Sequence, residues 1–239
     1  MLNVYYNNMK IGAFILNVGQ STVDDCIKAI KGQVDKVFMI QDVSPVNKAI
    51  NQCFKEAMQE KLDYFIILGA DTIHKENSIA TMMSYMKDDL WCVYGRLDDY
   101  YRGSDSYGNH LYNAKAMQGI RVDEDDIMYD HKIHATMEEK GYKKVVTKEV
   151  IGKHHPIWTV QEAFEKHLHS GKRYKDKYFK KYFDQVKKRY KEDPCEVNRA
   201  AKIGFQLGIG CRPDALTNKE TKEWKENKKK FKINDKLVW

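Results

Sequence analysis

The first hundred residues alternate short apolar runs with amphipathic stretches. The apolar runs are bounded by turn residues and predict buried strands at 11–18, 35–43, 63–69 and 90–97. The stretches between them have apolar residues at helical spacing and predict helices from Ser21 or Thr22, over 45–61 and over 78–86. Strands and helices that alternate through short connections predict an α/β fold with a mainly parallel sheet and helices on both faces.

The pattern changes after the fourth strand. Residues 98–113 are rich in Tyr, Gly, Ser and Asp and predict a loop, with a lid as one role for it. A helix is predicted over about 126–140 and a further strand over 143–151. From residue 159 onward helical patterns dominate, so we expect a first domain over 1–157 and a helical extension over 158–239.

Composition is that of a globular protein with free thiols. The chain has 239 residues, of which 42% are hydrophobic and 12% aromatic, enough for a sizeable core. The sequence contains no run of 18 apolar residues, so no membrane span is predicted. The first ten residues are too polar for a secretory signal. The five cysteines are scattered without a CxxC pair, which favours a reducing, cytoplasmic compartment.

The third predicted strand ends unusually, in the sequence "FIILGAD". It delivers the carboxylate of Asp71 to the carboxyl edge of the predicted sheet, where open α/β sheets bind ligands. The small residues Gly69 and Ala70 would let an anionic group approach the backbone. The plainer interpretation is that Asp71 begins a turn and caps the next helix.

Charge is distributed unevenly along the chain. Residues 1–150 carry 18 Lys/Arg and 22 Asp/Glu, whereas residues 151–239 carry 23 and 12. The segment 166–191 holds eleven Lys/Arg and six aromatic residues, with Tyr174, Tyr178, Tyr182, Val186 and Tyr190 at four-residue spacing. Three interpretations remain open: a solvated helix with a packed aromatic stripe, binding to an anionic membrane, and binding to nucleic acid.

Five short motifs, in order, resemble the GT-A fold glycosyltransferases, nearest to the large family-2 type, over roughly residues 10–155. They are the strand and helix that end at Gln33, "MIQDVS" with Asp42, the helix "KAINQCFKEAM" before "FIILGAD", the acidic run "VDEDD", and "IGKHHP" after a closing strand. Each motif alone is weak, and the order and spacing carry the resemblance. Residues 156–239 lie outside it.

The resemblance implies an enzyme that transfers a sugar from a nucleotide-diphosphate sugar to an acceptor hydroxyl. It implies Mn²⁺ or Mg²⁺ held by Asp71, with His154 favoured slightly over His155 as a further ligand. The alternative for His154 is a surface histidine. Gly69 stands where the family usually has the first acid of its DxD motif, so weak metal binding or an altered metal dependence is left open.

The resemblance also implies the remaining site residues. Asp125 is the expected general base for an inverting displacement, with Glu124 and Asp126 as alternatives, and some of these acids only cap a helix. Donor-binding residues are expected at the strand ends and on the helix that follows the second strand. They are Asn17, Asp42, Lys48, Asn51, Ala70, Asp71 and Arg96.

The acceptor is left open among a glycan, a lipid-linked saccharide and a modified DNA base. A sugar-phosphate nucleotidylyltransferase is less favoured, because "NVGQST" lacks a Gly-rich, Arg-containing loop. The alternative from another class is a non-catalytic α/β module that binds nucleic acid or an anionic membrane through its basic tail. Such a partner would place the protein at a membrane surface or on DNA.

Overall fold

The computed structural model describes residues 9–124, 129–154, 159–172 and 177–210. The chain divides into two compact units, Met1–Pro156 and Ile157–Trp239. The strands of the first unit are β1 Ile11–Asn17, β2 Lys36–Gln41, β3 Tyr64–Gly69, β4 Thr72–His74, β5 Leu90–Asp99, β6 Gly103–Asn113 and β7 Lys143–His154. Its helices are α1 Val23–Ile30, α2 Val46–Gln59, α3 Ser78–Tyr85 and α4 Tyr129–Glu139.

The seven described strands form one sheet in the order β2-β1-β3-β6-β5-β7-β4. Strands β1, β2 and β3 are parallel to one another, and β5 is parallel to β7. Strand β6 runs antiparallel to both of its neighbours, and β4 runs antiparallel to β7. The α/β class is confirmed, but the sheet is mixed and the expectation of a mainly parallel sheet is corrected.

Two hydrophobic clusters cover the two faces of this sheet, as expected. One cluster contains Ile50 and Phe54 of α2 together with Ile133 and Met137 of α4. The other contains Cys26 and Ile30 of α1 together with residues of α3. Each helix turns its apolar side toward the sheet, because burial of that side is the main stabilising term.

Strand β6 occupies most of the segment that was expected to be a loop. Strand β5 pairs along most of β6, and β3 pairs with its last four residues, 110–113, so pairing compensates for a weak apolar pattern. Leu111 belongs to one hydrophobic cluster and Tyr112 to the other, as expected for successive strand residues, whose side chains point to opposite faces of the sheet. The expectation of a loop over 98–113 was therefore wrong, and a lid in this segment is not supported.

The second unit is helical, as expected. Its described helices are α5 Val160–Lys172, α6 Lys177–Glu192 and α7 Glu196–Ile209. Helices α5 and α7 lie so close that a Cβ at Gly204 would be 2.2 Å from the Phe164 carbonyl oxygen. Tyr182 and Phe183 of α6 pack on Phe205 of α7, with ring centroids 5.6 and 4.7 Å apart. Tyr182 and Val186 of the aromatic stripe are therefore packed inside this unit, and the side chains of Tyr174 and Tyr178 lie outside the described part of the chain.

Candidate active site

Three strands bring two carboxylates and an imidazole to one edge of the sheet. Asp71 lies in the turn between β3 and β4, and Thr72 at the start of β4 pairs with His154 at the end of β7. Asp99, the last residue of β5, pairs with the same His154 from the other side. Residues 71, 99 and 154 are far apart in sequence, and the sheet register places them together.

His154 interacts with both carboxylates, through its two ring nitrogens. Its Nδ1 lies 2.7 Å from Asp99 Oδ2, and its Nε2 lies 3.7 Å from Asp71 Oδ2. The Asp99 side chain is only 3% exposed. Its Oδ1 accepts hydrogen bonds from the backbone amides of Tyr101 and Arg102, at 2.9 Å each. Asp99 is thus fixed in position and in turn orients the ring.

This arrangement determines which nitrogen of His154 carries the proton when the ring is neutral. An ionised carboxylate only accepts hydrogen bonds, so Nδ1 donates to Asp99 and Nε2 presents its lone pair to Asp71. Two electron-rich atoms that face each other at 3.7 Å are stabilised by a cation between them.

The separation is close to that of two ligands on one divalent ion. Ligands in an octahedral shell with bonds of about 2.1 Å lie about 3.0 Å apart when adjacent and about 4.2 Å apart when opposite. The observed 3.7 Å matches neither value, and a side-chain shift of about 0.5 to 0.7 Å would bring the two atoms to one of them. No group of three or more His, Cys, Asp or Glu side chains forms a metal site by itself within the described ranges. Two protein ligands are enough where water and substrate phosphates complete the shell.

The turn that carries Asp71 is supported from beneath by α1. Thr22 Oγ1 donates to the Ala70 carbonyl at 2.8 Å, and the Ala70 amide donates to the Leu16 carbonyl at 3.0 Å. Ala70 is fully buried, so it supports the turn from within. Burial raises the pKa of the Cys26 thiol beneath the turn to about 12, and the charge of Asp71 acts in the same direction. Cys26 therefore remains a neutral thiol.

The first two strand ends bring together Asn17 and Asp42. The Asp42 amide donates to the Asn17 carbonyl at 2.9 Å, and Asp42 adopts a positive φ of 55° with an exposed side chain. Asn17 Oδ1 accepts from the Gly19 amide at 3.0 Å, which shapes the turn after β1. Lys48 is exposed on α2, which follows β2. A polar, accessible edge is therefore present where the nucleotide was expected.

Arg96 lies apart from this edge. Strands β3 and β6 separate its strand, β5, from β1. Its guanidinium donates to the Lys148 carbonyl at 3.3 Å, and its backbone amide donates to Thr147 Oγ1 at 3.0 Å. The structure therefore places Arg96 on the β5–β7 side of the sheet, toward the half that carries Asp99 and His154.

The acidic run is only partly described. Asp125 and Asp126 lie outside the described residues, as does His155. Glu124 is exposed, and Asp123 forms an exposed ion pair with Lys132 at 2.7 Å. The chain leading to this run is held by the side-chain amides of two asparagines of α2, one of which is Asn51.

The sequence interpretation missed Asp99. The expected loop over 98–113 removed this residue from the strand, and with it the register that places it beside His154. A signal was present, because Asp98 and Asp99 directly follow an apolar strand in the way that Asp71 does. An acidic residue at a second strand end could have been compared with the first.

Comparison with known proteins supports this description at the level of the fold. No protein-family model matches the sequence, and no curated protein matches it. Among solved structures, a mannosyltransferase from Pyrobaculum calidifontis, determined with GDP-Man and Mn²⁺, is similar with a TM-score of 0.51. The similarity covers 84% of this chain and 73% of that one at 8% identity. The chain has the GT-A fold.

Other similar structures are more distant. Glucosyl-3-phosphoglycerate synthase from Mycobacterium tuberculosis has a TM-score of 0.48 and 9% identity over 64% of this chain and 74% of its own. A glycosyltransferase involved in glycosylation of the major capsid of PBCV-1 has a TM-score of 0.41 and 8% identity over 62% and 93%. The GT-A fold confirms what the motif order implied, and the chemistry of this chain rests on its own residues.

Proposed function

We propose that this GT-A protein transfers a sugar from a nucleoside-diphosphate sugar to an acceptor hydroxyl, as a hexosyl- or related transferase. The observation that carries the proposal is the bridge from Asp99 through His154 to Asp71 at the carboxyl edge of the sheet. It combines a lone pair and a carboxylate at a spacing close to that of two ligands on one divalent ion, on a fold that binds nucleotide sugars in the mannosyltransferase.

Asp71 Oδ2 and His154 Nε2 are the atoms that would hold Mn²⁺ or Mg²⁺. When bound, such an ion offsets the negative charge that develops on the leaving diphosphate. Asp99 would hold the ring in the tautomer that ligates, as carboxylates commonly do beside metal-bound histidines. An imidazole ligand favours Mn²⁺ over Mg²⁺.

The donor nucleotide would lie along the ends of β1 and β2. Asp42 is exposed there and can accept a hydrogen bond from the base or ribose, while Asn17 shapes the adjoining turn. Lys48 is positioned on α2 to approach the donor phosphates or sugar. Arg96, on the other half of the sheet, is better placed for the acceptor than for the nucleotide.

The acceptor hydroxyl requires a general base. We assign Asp125 to this role, with Glu124 and Asp126 as the alternatives in the same run. Asp123 is less suited because its carboxylate is already paired with Lys132. A single displacement assisted by one base would invert the configuration at the anomeric carbon, through an oxocarbenium-like transition state.

The experiment is thermal unfolding with a panel of UDP, GDP, TDP and CMP sugars, with and without Mn²⁺. We expect one nucleotide class to raise the melting temperature only when Mn²⁺ is present, and Asp71→Asn to abolish that rise. Glu76→Gln is the matched control, since it removes an exposed acid a few residues further along. Absence of a rise with every donor, together with absence of transfer, would refute the proposed function.

A second, separable property follows from α6. Five exposed lysines lie within an arc of about 120° on this helix, opposite its buried aromatic side. They are Lys180, Lys181, Lys187, Lys188 and Lys191. Because Phe179, Tyr182 and Phe183 are buried, they are not available for stacking on bases or for insertion into a bilayer.

We infer that this lysine face contacts a polyanion through its ammonium groups. Asp184 pairs with Lys187 at 2.6 Å and reduces the net charge, so the affinity is expected to be modest and to fall steeply with salt. Binding to duplex DNA and to anionic vesicles, each at 50 and 200 mM salt, tests the inference. Equal affinity of the protein and of a variant with Lys180, Lys181 and Lys191 changed to Gln would contradict it.

Among the described residues, no helix is long and apolar enough to cross a bilayer.

A further inference from the structure

Helix α2 holds the chain that leads into the acidic run. Asn47 Nδ2 donates to the Asp123 carbonyl at 2.8 Å and to the Glu124 carbonyl at 3.2 Å. Asn51 Nδ2 donates to the Val122 carbonyl at 2.7 Å, and its Oδ1 accepts from the Val122 amide at 2.8 Å. Residues 47 and 51 are one helical turn apart and therefore lie on the same face of α2.

These contacts restrain three consecutive residues. The amide and the carbonyl of Val122 are both hydrogen-bonded by the Asn51 side chain. The carbonyls of the next two residues, 123 and 124, both accept from the Asn47 side chain. The Asn47 side chain is buried, so water does not readily replace it as a donor. Val122 is itself buried in the cluster that contains Ile50 and Phe54, which anchors the segment to α2 a second time.

The restrained residues include one of the candidate bases. Glu124 is exposed, and its own carbonyl accepts from Asn47 Nδ2 at 3.2 Å. The first turn of α2 is also close in sequence to Asp42, at the nucleotide edge. One rigid helix thus connects the edge expected to bind the donor with the segment expected to carry the base.

We propose that Asn47 and Asn51 are positioning residues for the general base, and not donor ligands. This proposal rests on the proposed function, because it assigns the base to the acidic run. Neither side chain needs to touch the substrate: each acts by fixing the backbone at residues 122–124, where the acidic run begins. Displacement of a catalytic group by about 1 Å is enough to lower turnover about 100-fold.

The test compares Asn47→Ala and Asn51→Ala with Gln52→Ala in the full chain. Gln52 lies on the same helix, and its described side-chain hydrogen bond stays within that helix, to Glu56 at 2.7 Å. Gln52→Ala therefore controls for the loss of a side-chain amide from α2. We expect kcat to fall by about 30- to 100-fold for each asparagine variant. KM for the donor should change less than about threefold, and Gln52→Ala should leave both constants unchanged.

Hydrogen exchange of the backbone amides over residues 120–124 provides the structural readout. Exchange should accelerate in both asparagine variants under conditions where each remains folded. If the alanine variants do not fold, Asn51→Asp keeps the volume and the acceptor for the Val122 amide, and places one carboxylate oxygen against a single carbonyl, that of Val122. It should retain more turnover than Asn47→Asp, which places a carboxylate against two carbonyls.

The outcomes separate this proposal from the proposed function. Faster exchange with unchanged kcat would make the asparagines purely structural and overturn the positioning role. A rise in donor KM with unchanged kcat would make them donor ligands and overturn it as well. Absence of turnover in the unmodified protein, with donor binding also absent, would refute the proposed function itself.

Discussion

Replacing Asp99 by Asn exchanges one oxygen for a nitrogen in a side chain that is nearly fully buried. The amide oxygen of the new residue can still accept from the backbone amides of Tyr101 and Arg102. Its nitrogen would then stand 2.7 Å from His154 Nδ1, where the structure has a carboxylate oxygen. Two N–H groups cannot bond to each other, so the neutral ring must move its proton to Nε2.

The consequence falls on Asp71. A proton on His154 Nε2 would face Asp71 Oδ2 at 3.7 Å, and that nitrogen would then have no lone pair for a metal. We expect Mn²⁺ affinity to fall about 10- to 100-fold, which is the usual effect of losing such a carboxylate partner. That loss corresponds to about 1.4 to 2.7 kcal/mol of binding free energy. The free energy of unfolding without metal should change by only about 1 kcal/mol, because one hydrogen bond replaces another.

Titration of Mn²⁺ followed by calorimetry, with a saturating nucleoside diphosphate present, measures this effect. Asp98→Asn is the matched control, since Asp98 is the preceding residue, carries the same charge and is exposed. We expect Asp98→Asn to bind Mn²⁺ as the unmodified protein does. Equal affinities for all three proteins would refute the metal assignment of His154, and an equal loss in both variants would show that only overall charge matters.

Two further predictions concern stability. Burial lowers the pKa of His74 from 6.5 to about 4, and Asn109 and Ser78 bond its neutral ring, so acid favours the unfolded chain. The free energy of unfolding should fall by about 3 kcal/mol as the pH drops from 6.5 to 4. Urea titrations at several pH values measure this dependence on pH, and His74→Gln should remove it. Gly204→Ala should lower the free energy of unfolding by about 3 kcal/mol or more, because its Cβ would lie 2.2 Å from a backbone oxygen. Gly210→Ala, whose nearest atom is at 3.7 Å, should lower it by less than about 0.5 kcal/mol in the same urea titrations.

The parts of the fold that the sequence predicts are those with their own local signal. Strands β1, β2 and β3 are apolar runs ended by turn residues, and the helices between them have one apolar side. The carboxyl edge of these strands follows from parallel pairing, so a site at Asn17, Asp42 and Asp71 could be anticipated from position alone. His154 was expected from the motif order, and the register of β4 on β7 now places it beside Asp71.

The parts that the sequence does not predict depend on partners distant in the chain. Strand β6 exists because β3 and β5 both bond to it, and its own composition resembles a loop. Asp99 gains its place only through that pairing. The amides of Asn47 and Asn51 bond to backbone groups more than seventy positions away, a tertiary contact without a local pattern. Such contacts determine the geometry of the site more than its location.

Gly69 leaves room for the Asp71 carboxylate at this edge of the sheet. A Cβ at this position would stand 2.5 Å from Asp71 Oδ1, so the Asp71 carboxylate lies over the space that a side chain at residue 69 would occupy. An acid at position 69 would have to displace Asp71 and so alter the 3.7 Å approach to His154. Glycine at this position is therefore consistent with a site in which the Asp71 carboxylate faces one side of the His154 ring, while the Asp99 carboxylate bonds to the Nδ1 atom on the other side.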